Sequence, residues 1–577
     1  MEGTLGLERA VRRATRARRY LAPTLPLGLA LCCTSAMALD PLPVEAPLTA
    51  LRPDFGGDGS NGVVYDGDRD PEFPSDDGYD AIGVSVTNIG DFNGDGLDDI
   101  YIGDSTNVGN YGAPAGRGFL IFGRTGGFDP LVRLPDDVGN GVLLRTRQRI
   151  NYAGESQRVG DVNGDGFADV LIGARNFIGA GSAYLLFGQS NPRPVITLDD
   201  VAENPGTGAR FIGVNDGDST GQDVAGACDL NGDGLDDMLI GASGADPDGR
   251  NAAGVVYVVY GSSDFPPAVN LASLLPQAGG DGSAGFVVKG AAPANFAGDI
   301  GDEIACADIN ADGLPDLLLT PFVLYGRNTA FPPVIDLANL LPENGGNGRA
   351  GFVVTVERPQ GVSRVQGAGD MNGDGRSDMV VDLAPIGIDG IGAREAVVLY
   401  GSSAPRPARV RLDRLRPALG GDGTDGFFLR AEVSNPQGFV RDRVASAGDF
   451  DGDGIDDLLI GHPDIDANGV QRDGVVAEGV TYLLYGRSGG FPAQVDLTDL
   501  RVANGGDGTE GIVFRGESLT LTENPGRMGE AVSSAGDLNG DGYDDVLLGA
   551  PHSPRFLNPA GGGAYVVFGR PRPVPAP

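Results

Sequence analysis

DLNGDGYDDVLLGAP, residues Asp537–Pro551, is the stretch from which the fold can be read. Its first nine residues put oxygen-bearing side chains at positions 1, 3, 5 and 9 and a glycine at position 6. An apolar, β-prone run follows at once. The same pattern, D-x-(N/D)-(G/A)-D-G-x-x-D, begins at Asp91, Asp161, Asp229, Asp308, Asp370 and Asp449. Successive starts are 70, 68, 79, 62, 79 and 88 residues apart. Seven copies at such spacing mean one structural unit repeated seven times.

Alternating oxygens around a tight turn are what a hard divalent cation requires. Ca²⁺ takes about six to eight oxygens at roughly 2.3–2.6 Å, whereas Mg²⁺ demands a tighter octahedron and keeps its waters. Position 6 supplies the positive φ of the turn, and position 7 offers its carbonyl. The expected donors are Asp91, Asn93, Asp95, Leu97 and Asp99 in the first loop, and Asp161, Asn163, Asp165, Phe167 and Asp169 in the second. The third offers Asp229, Asn231, Asp233, Leu235 and Asp237, and the fourth Asp308, Asn310, Asp312, Leu314 and Asp316. The fifth has Asp370, Asn372, Asp374, Arg376 and Asp378, and the sixth Asp449, Asp451, Asp453, Ile455 and Asp457. Asp537, Asn539, Asp541, Tyr543 and Asp545 complete the set. Asp, Asn and Gly also form turns without metal, but acidic groups converging seven times without a cation would repel one another. About seven Ca²⁺ sites are therefore expected. The fourth, with Ala311 for the usual glycine, fits least well. An EF-hand opens similarly but runs to a Glu at position 12 between helices; here Asp at position 9 leads straight into a strand.

Each interval holds the same ordered parts: a strand of small residues, the acidic loop, the apolar strand, a variable loop, and a strand ending in aromatic-Gly (Phe122, Phe187, Tyr260, Tyr325, Tyr400, Tyr485 and Phe568). A last segment follows, such as VNLASLLPQAGGDGSAGFVVKG from Val269. Four strands per unit match a propeller blade. After the seventh loop that last segment is missing, while LTALRPDFGGDGSNGVVYDG, from Leu48, precedes the first loop. The expectation is an all-β, seven-bladed propeller over residues 48–570, closed by its N-terminal strand. Residues 39–47 would be a linker and 571–577 a Pro-rich tail.

This arrangement resembles the FG-GAP repeat family, whose best-known members are the seven-bladed N-terminal propellers of integrin α subunits. Phe568-Gly569 and Gly549-Ala550-Pro551 carry the name elements, with weaker forms at Gly173, Gly241 and Gly461. The resemblance implies Ca²⁺ on one face of the propeller and a role in adhesion or ligand binding. In integrins the later blades usually carry the metal loop; here all seven do.

The chain has 577 residues, 96 of them Gly and 40 Pro, and a net charge of −37. Seven Ca²⁺ would leave the surface strongly acidic, which argues against nucleic acid or an anionic membrane as partner. Residues 1–38 read as a secretory signal: Arg12, Arg13, Arg16, Arg18 and Arg19 precede an apolar core, Leu21–Ala36, and Ala36-Met37-Ala38 offers a cleavage site. No later segment is apolar enough to span a membrane. Cys32 and Cys33 fall in the signal; Cys228 and Cys306 are open to a disulfide or to buried free thiols.

No G-x-S-x-G elbow, H-E-x-x-H or phosphate-binding glycine loop occurs. The two histidines, His462 and His552, read as surface loop residues. No catalytic residue is assigned. The favoured reading is a secreted adhesion or ligand-binding scaffold whose partner is an extracellular protein or glycan. The alternative is an extracellular carbohydrate-active enzyme or a lectin-like glycan-binding module, since carboxylates are abundant.

Overall fold

The computed structural model describes residues 41–573, apart from 68–81, 105–116, 135–137, 140, 147–155, 176–178, 205, 292–299, 301–303, 358–360, 384–391, 435–442, 464, 466–477, 518–526 and 552–561. The signal-like residues 1–38 and His552 lie outside that set.

The apolar run after each acidic loop is a strand buried along its whole length, except at the half-buried Asp382 of the fifth. Asp99–Asp104, Asp169–Ala174, Asp237–Ala242 and Asp545–Ala550 show no exposed face. A sheet with one wet face would alternate polar and apolar residues. These strands do not alternate, because each sheet is covered by a neighbouring sheet on both sides. Seven sheets stand in this way, one per loop. Mixed clusters fill the gaps between them, as where Val256 and Phe286 of the third sheet meet Leu317 and Phe322 of the fourth. Each fully buried Val, Leu or Phe contributes about 1.5–3 kcal/mol relative to exposure.

Within blade one, Ile82–Gly90, Asp99–Asp104, Arg117–Ile121 and Val142–Arg145 pair antiparallel in that order. The sheet has five strands, not the four expected, because Val195–Thr197 adds to its outer edge in parallel. Every blade gains such a three- or four-residue strand. It comes from the segment that sequence reading took as one piece. In the stretch from Val334, Val334–Asp336 pairs with Gly285–Lys289 of blade three. Two short 3-10 turns, Leu337–Leu340 and Pro342–Asn344, then carry the chain to Gly351–Thr355, the fourth strand of blade four. Each such segment thus laces one blade to the next.

The innermost strands form a ring in which Ile82–Gly90 neighbours both Ser156–Gly160 of blade two and Ala531–Gly536 of blade seven. They surround an axial cavity of about 350 Å³. Blade seven takes its fourth strand, Gly62–Gly67, from far upstream, in register Val64 with Tyr565. Glu45–Pro47, within the stretch read as a linker, is the fifth strand of blade six. Arg52 ties these pieces together: its two terminal nitrogens each lie 2.8 Å from Asp66, and its Nε lies against the buried Glu517.

Cys228 and Cys306 are joined in a disulfide, with Cα atoms 6.6 Å apart, that bridges blades three and four. His462, expected at the surface, is 3% exposed and packs edge-on to Tyr482, with ring centroids 5.7 Å apart. It closes the strand Asp457–His462 rather than opening a loop.

Candidate cation-binding loops

The loop twice enters the left-handed region. In the seventh loop Gly540 has φ +77° and Gly542 φ +96°. Position 6 was expected there from sequence; position 4 was not. Blade four carries Ala311 at position 4 with φ +58°, a conformation that costs an L side chain roughly 1–2 kcal/mol.

Those two reversals turn successive backbone N–H groups toward the first carboxylate. Asp91 Oδ1 accepts from the N–H of Gly94 at 2.7 Å and of Asp95 at 2.9 Å, and Oδ2 accepts from Gly96 at 2.9 Å. Asn93 Oδ1 accepts from Asp95 at 2.8 Å, and Asp95 Oδ1 from Leu97 at 3.0 Å. Positions 1, 3 and 5 are thereby held around one centre. The arrangement is clearest in the sixth loop, where Asp449, Asp451 and Asp453 each offer a carboxylate oxygen within 4.8 Å of the others. Asp449 Oδ1 there is buried and receives no hydrogen bond. A buried carboxylate oxygen without a donor, on an aspartate grouped with two further carboxylates, fits a hard cation.

Position 9 does something additional. All seven of these aspartates are 0% exposed. Asp545 Oδ2 accepts from the Leu538 N–H at 3.1 Å and Oδ1 from the Gly569 N–H at 2.9 Å. The same pair of bonds recurs in blade one, from Phe92 at 3.0 Å and Gly123 at 2.8 Å. The aspartate therefore pins the acidic loop to the end of the aromatic-Gly strand. This also accounts for the glycine in that dipeptide: a Cβ at Gly569 would lie 2.3 Å from the Asp544 carbonyl, and one at Gly123 2.5 Å from that of Asp98. Burial pushes Asp99 and Asp169 up to about 8, and Asp237, Asp316 and Asp378 up to about 7, against the opposing pull of the N–H donors. Asp457 and Asp545 are raised well above the ordinary value for the same reason. A divalent cation would supply the positive charge that keeps such groups ionised.

Position 8 was assigned no role from sequence, yet it joins neighbouring loops. Asp544 of the seventh loop donates its N–H to the Asp449 carbonyl at 3.1 Å, and its Oδ2 accepts from the Asp449 N–H at 2.8 Å. Asp236 reaches Asp161, and Asp456 reaches Asp370, through the same two bonds. Asp98 accepts from the Asp537 N–H at 3.1 Å across the closing junction. The signal was available: position 8 is Asp in four loops and Ala168, Pro315 or Ser377 in the others. These bonds set the loops side by side at one end of the ring.

The FG-GAP repeat family model matches residues 153–186, 220–259 and 528–568. Integrin alpha pat-2 of Caenorhabditis elegans is 32% identical over 195 residues, which cover 32% of this chain and 14% of that one. Mouse integrin alpha-IIb is 27% identical over 302 residues, covering 48% and 23%. Rat phosphatidylinositol-glycan-specific phospholipase D is 37% identical over 107 residues, covering 18% and 12%. The matches span less than a quarter of each relative. Repeats, relatives and seven blades all fit a propeller that carries FG-GAP repeats. The fold is that of an integrin alpha N-terminal-like propeller.

Proposed function

We propose that the chain is a secreted, calcium-stabilised propeller that serves as an adhesion or ligand-binding scaffold. The integrin alpha-like FG-GAP propeller supports a ligand-binding scaffold at the level of the family. The observation that carries the finer reading is the set of seven acidic loops, each pinned to its blade by a buried aspartate. Ca²⁺ would be held by the position 1, 3, 5 and 9 side chains and the position 7 carbonyl, from Asp91–Asp99 through Asp537–Asp545. Its chemistry there is charge neutralisation and cross-linking of the loop. This chain's own residues provide the rigid frame, and the variable connections between strands provide contact surface. Delivery outside the cytoplasm rests on the basic-then-apolar composition of residues 1–38. Among the described residues no helix is long and apolar enough to cross a membrane.

Calcium removal tests the first half of this proposal. A site at a hundred times its Kd contributes about 2.7 kcal/mol, and several sites add up, so a chelator should lower the melting temperature greatly. An unchanged melting curve would defeat the calcium reading. For the second half, arrays of extracellular proteins and glycans should show saturable, calcium-dependent binding. Turnover of a glycan, abolished by one loop-carboxylate substitution, would replace the scaffold reading with an enzyme.

A further inference from the structure

We propose that Arg572 is a built-in competitor for the cation of the sixth loop, which takes a divalent ion only as this arginine leaves; the proposal rests on the loops being cation sites. The sixth loop is the one copy with a carboxylate at position 3: Asp451 stands where the other six have Asn. The Asp451 side chain is fully buried. Arg572 reaches it from the segment after the last strand, with Nε 2.5 Å from Asp451 Oδ2 and Nη2 on Asp453. Its guanidinium also lies 5.2 Å from the ring centroid of Tyr485.

The placement follows from the repeat. The residue after the aromatic-Gly pair donates its N–H to the position-2 carbonyl of the preceding loop, as Arg570 does to Phe450 at 2.9 Å. The same bond recurs at five other junctions. Two residues further on, these junctions carry Gly126, Asn191, Asp264, Ala404 and Gly489. At the sixth loop alone that position is an arginine, and that loop alone has the additional acid. A guanidinium nitrogen 2.5 Å from Asp451 Oδ2 stands where a calcium ion ligated by the same oxygen, at roughly 2.3–2.6 Å, would have to sit. The two cations compete for one set of oxygens, so binding of one weakens the other reciprocally.

The test is calorimetric titration of CaCl₂ into the chelator-stripped full chain, comparing wild type with Arg572→Gln. One of the sites should tighten by roughly tenfold, an ordinary coupling between competing ligands. In an Asp451→Asn/Asp453→Asn background the same substitution should leave the isotherm unchanged. Melting gives an independent readout: Arg572→Gln should destabilise the chelated protein, and the deficit should vanish or reverse in saturating calcium. Arg572→Lys, which keeps the charge but loses the fork, should fall between and serves if the glutamine variant folds poorly. An Arg572→Gln isotherm that superimposes on wild type, or a melting deficit equal with and without calcium, overturns the proposal and makes the contact a fixed ion pair. Uptake at the other loops in that case leaves the calcium reading standing; no uptake at any loop sinks both.

Discussion

Blades six and seven are joined differently from blades three and four. At the first junction Asp544 meets both the N–H and the carbonyl of Asp449. At the second, the equivalent residue is Pro315, which has neither an N–H nor a carboxylate to offer. That junction carries the Cys228–Cys306 disulfide, together with a bond from the Ile304 N–H to Asp223 Oδ2 at 2.7 Å. Blade four is also the blade with Ala311 in the left-handed region, and its second and third strands are separated only by Thr320-Pro321. Continuity around the ring is evidently the constrained quantity. The chemistry that supplies it is exchangeable, a carboxylate clasp in one place and a covalent bond in another.

Proton binding to the cation-free chain should separate the two regions most strongly, because several buried carboxylates act together. Burial raises Asp316 of blade four to about 7 and lifts Asp545 of blade seven well above the ordinary 3.8. The folded chain then holds more protons than the unfolded chain above pH 3.8. Stability in chelator should fall as pH rises from about 4 to about 8, with hydrogen exchange quickening first around the fourth loop. Stability that instead rises with pH would mean the N–H donors outweigh burial. The next effect in size is the disulfide. Closing its 78-residue separation is worth roughly 2–4 kcal/mol, so Cys228→Ser/Cys306→Ser should lower the unfolding free energy by about that amount under denaturant. Asp544→Ala removes a charge-assisted bond at the contrasting junction and should cost about 2 kcal/mol, while Pro315→Ala should cost far less. If the two cost the same, the clasp has no energetic meaning. Smallest is Ala311→Gly, which relieves the left-handed alanine and should stabilise by roughly 0.5–1 kcal/mol.

Much of this was legible because the acidic loop makes its own backbone bonds and so keeps its spelling in every copy. The apolar run after it was legible because sheets covered on both faces need no alternation. The fifth strand was not. Val334–Asp336 is three residues long, runs parallel, and is stabilised by an outer edge that local pattern does not reveal. His462 was misplaced because a lone polar residue after a glycine reads as loop, whereas packing on Tyr482 keeps it in the sheet. Position 8 was passed over because its partner is 75 to 95 residues away in the chain, or 439 at the closing junction, and adjacent only once the ring exists. The pairing of Cys228 with Cys306 was open for the same reason.

The pairing of Gly62–Gly67 with Gly563–Val567 has a consequence for biosynthesis. Its partners are separated by about 500 residues, so an apolar ribbon made early must wait, with the edge that Gly563–Val567 will cover left open, while the intervening residues are translated. During that interval it is a sticky edge open to the wrong neighbour. Assembly of the circle is then timed by synthesis of the seventh blade, and release before it should yield aggregates rather than a shortened, six-bladed survivor.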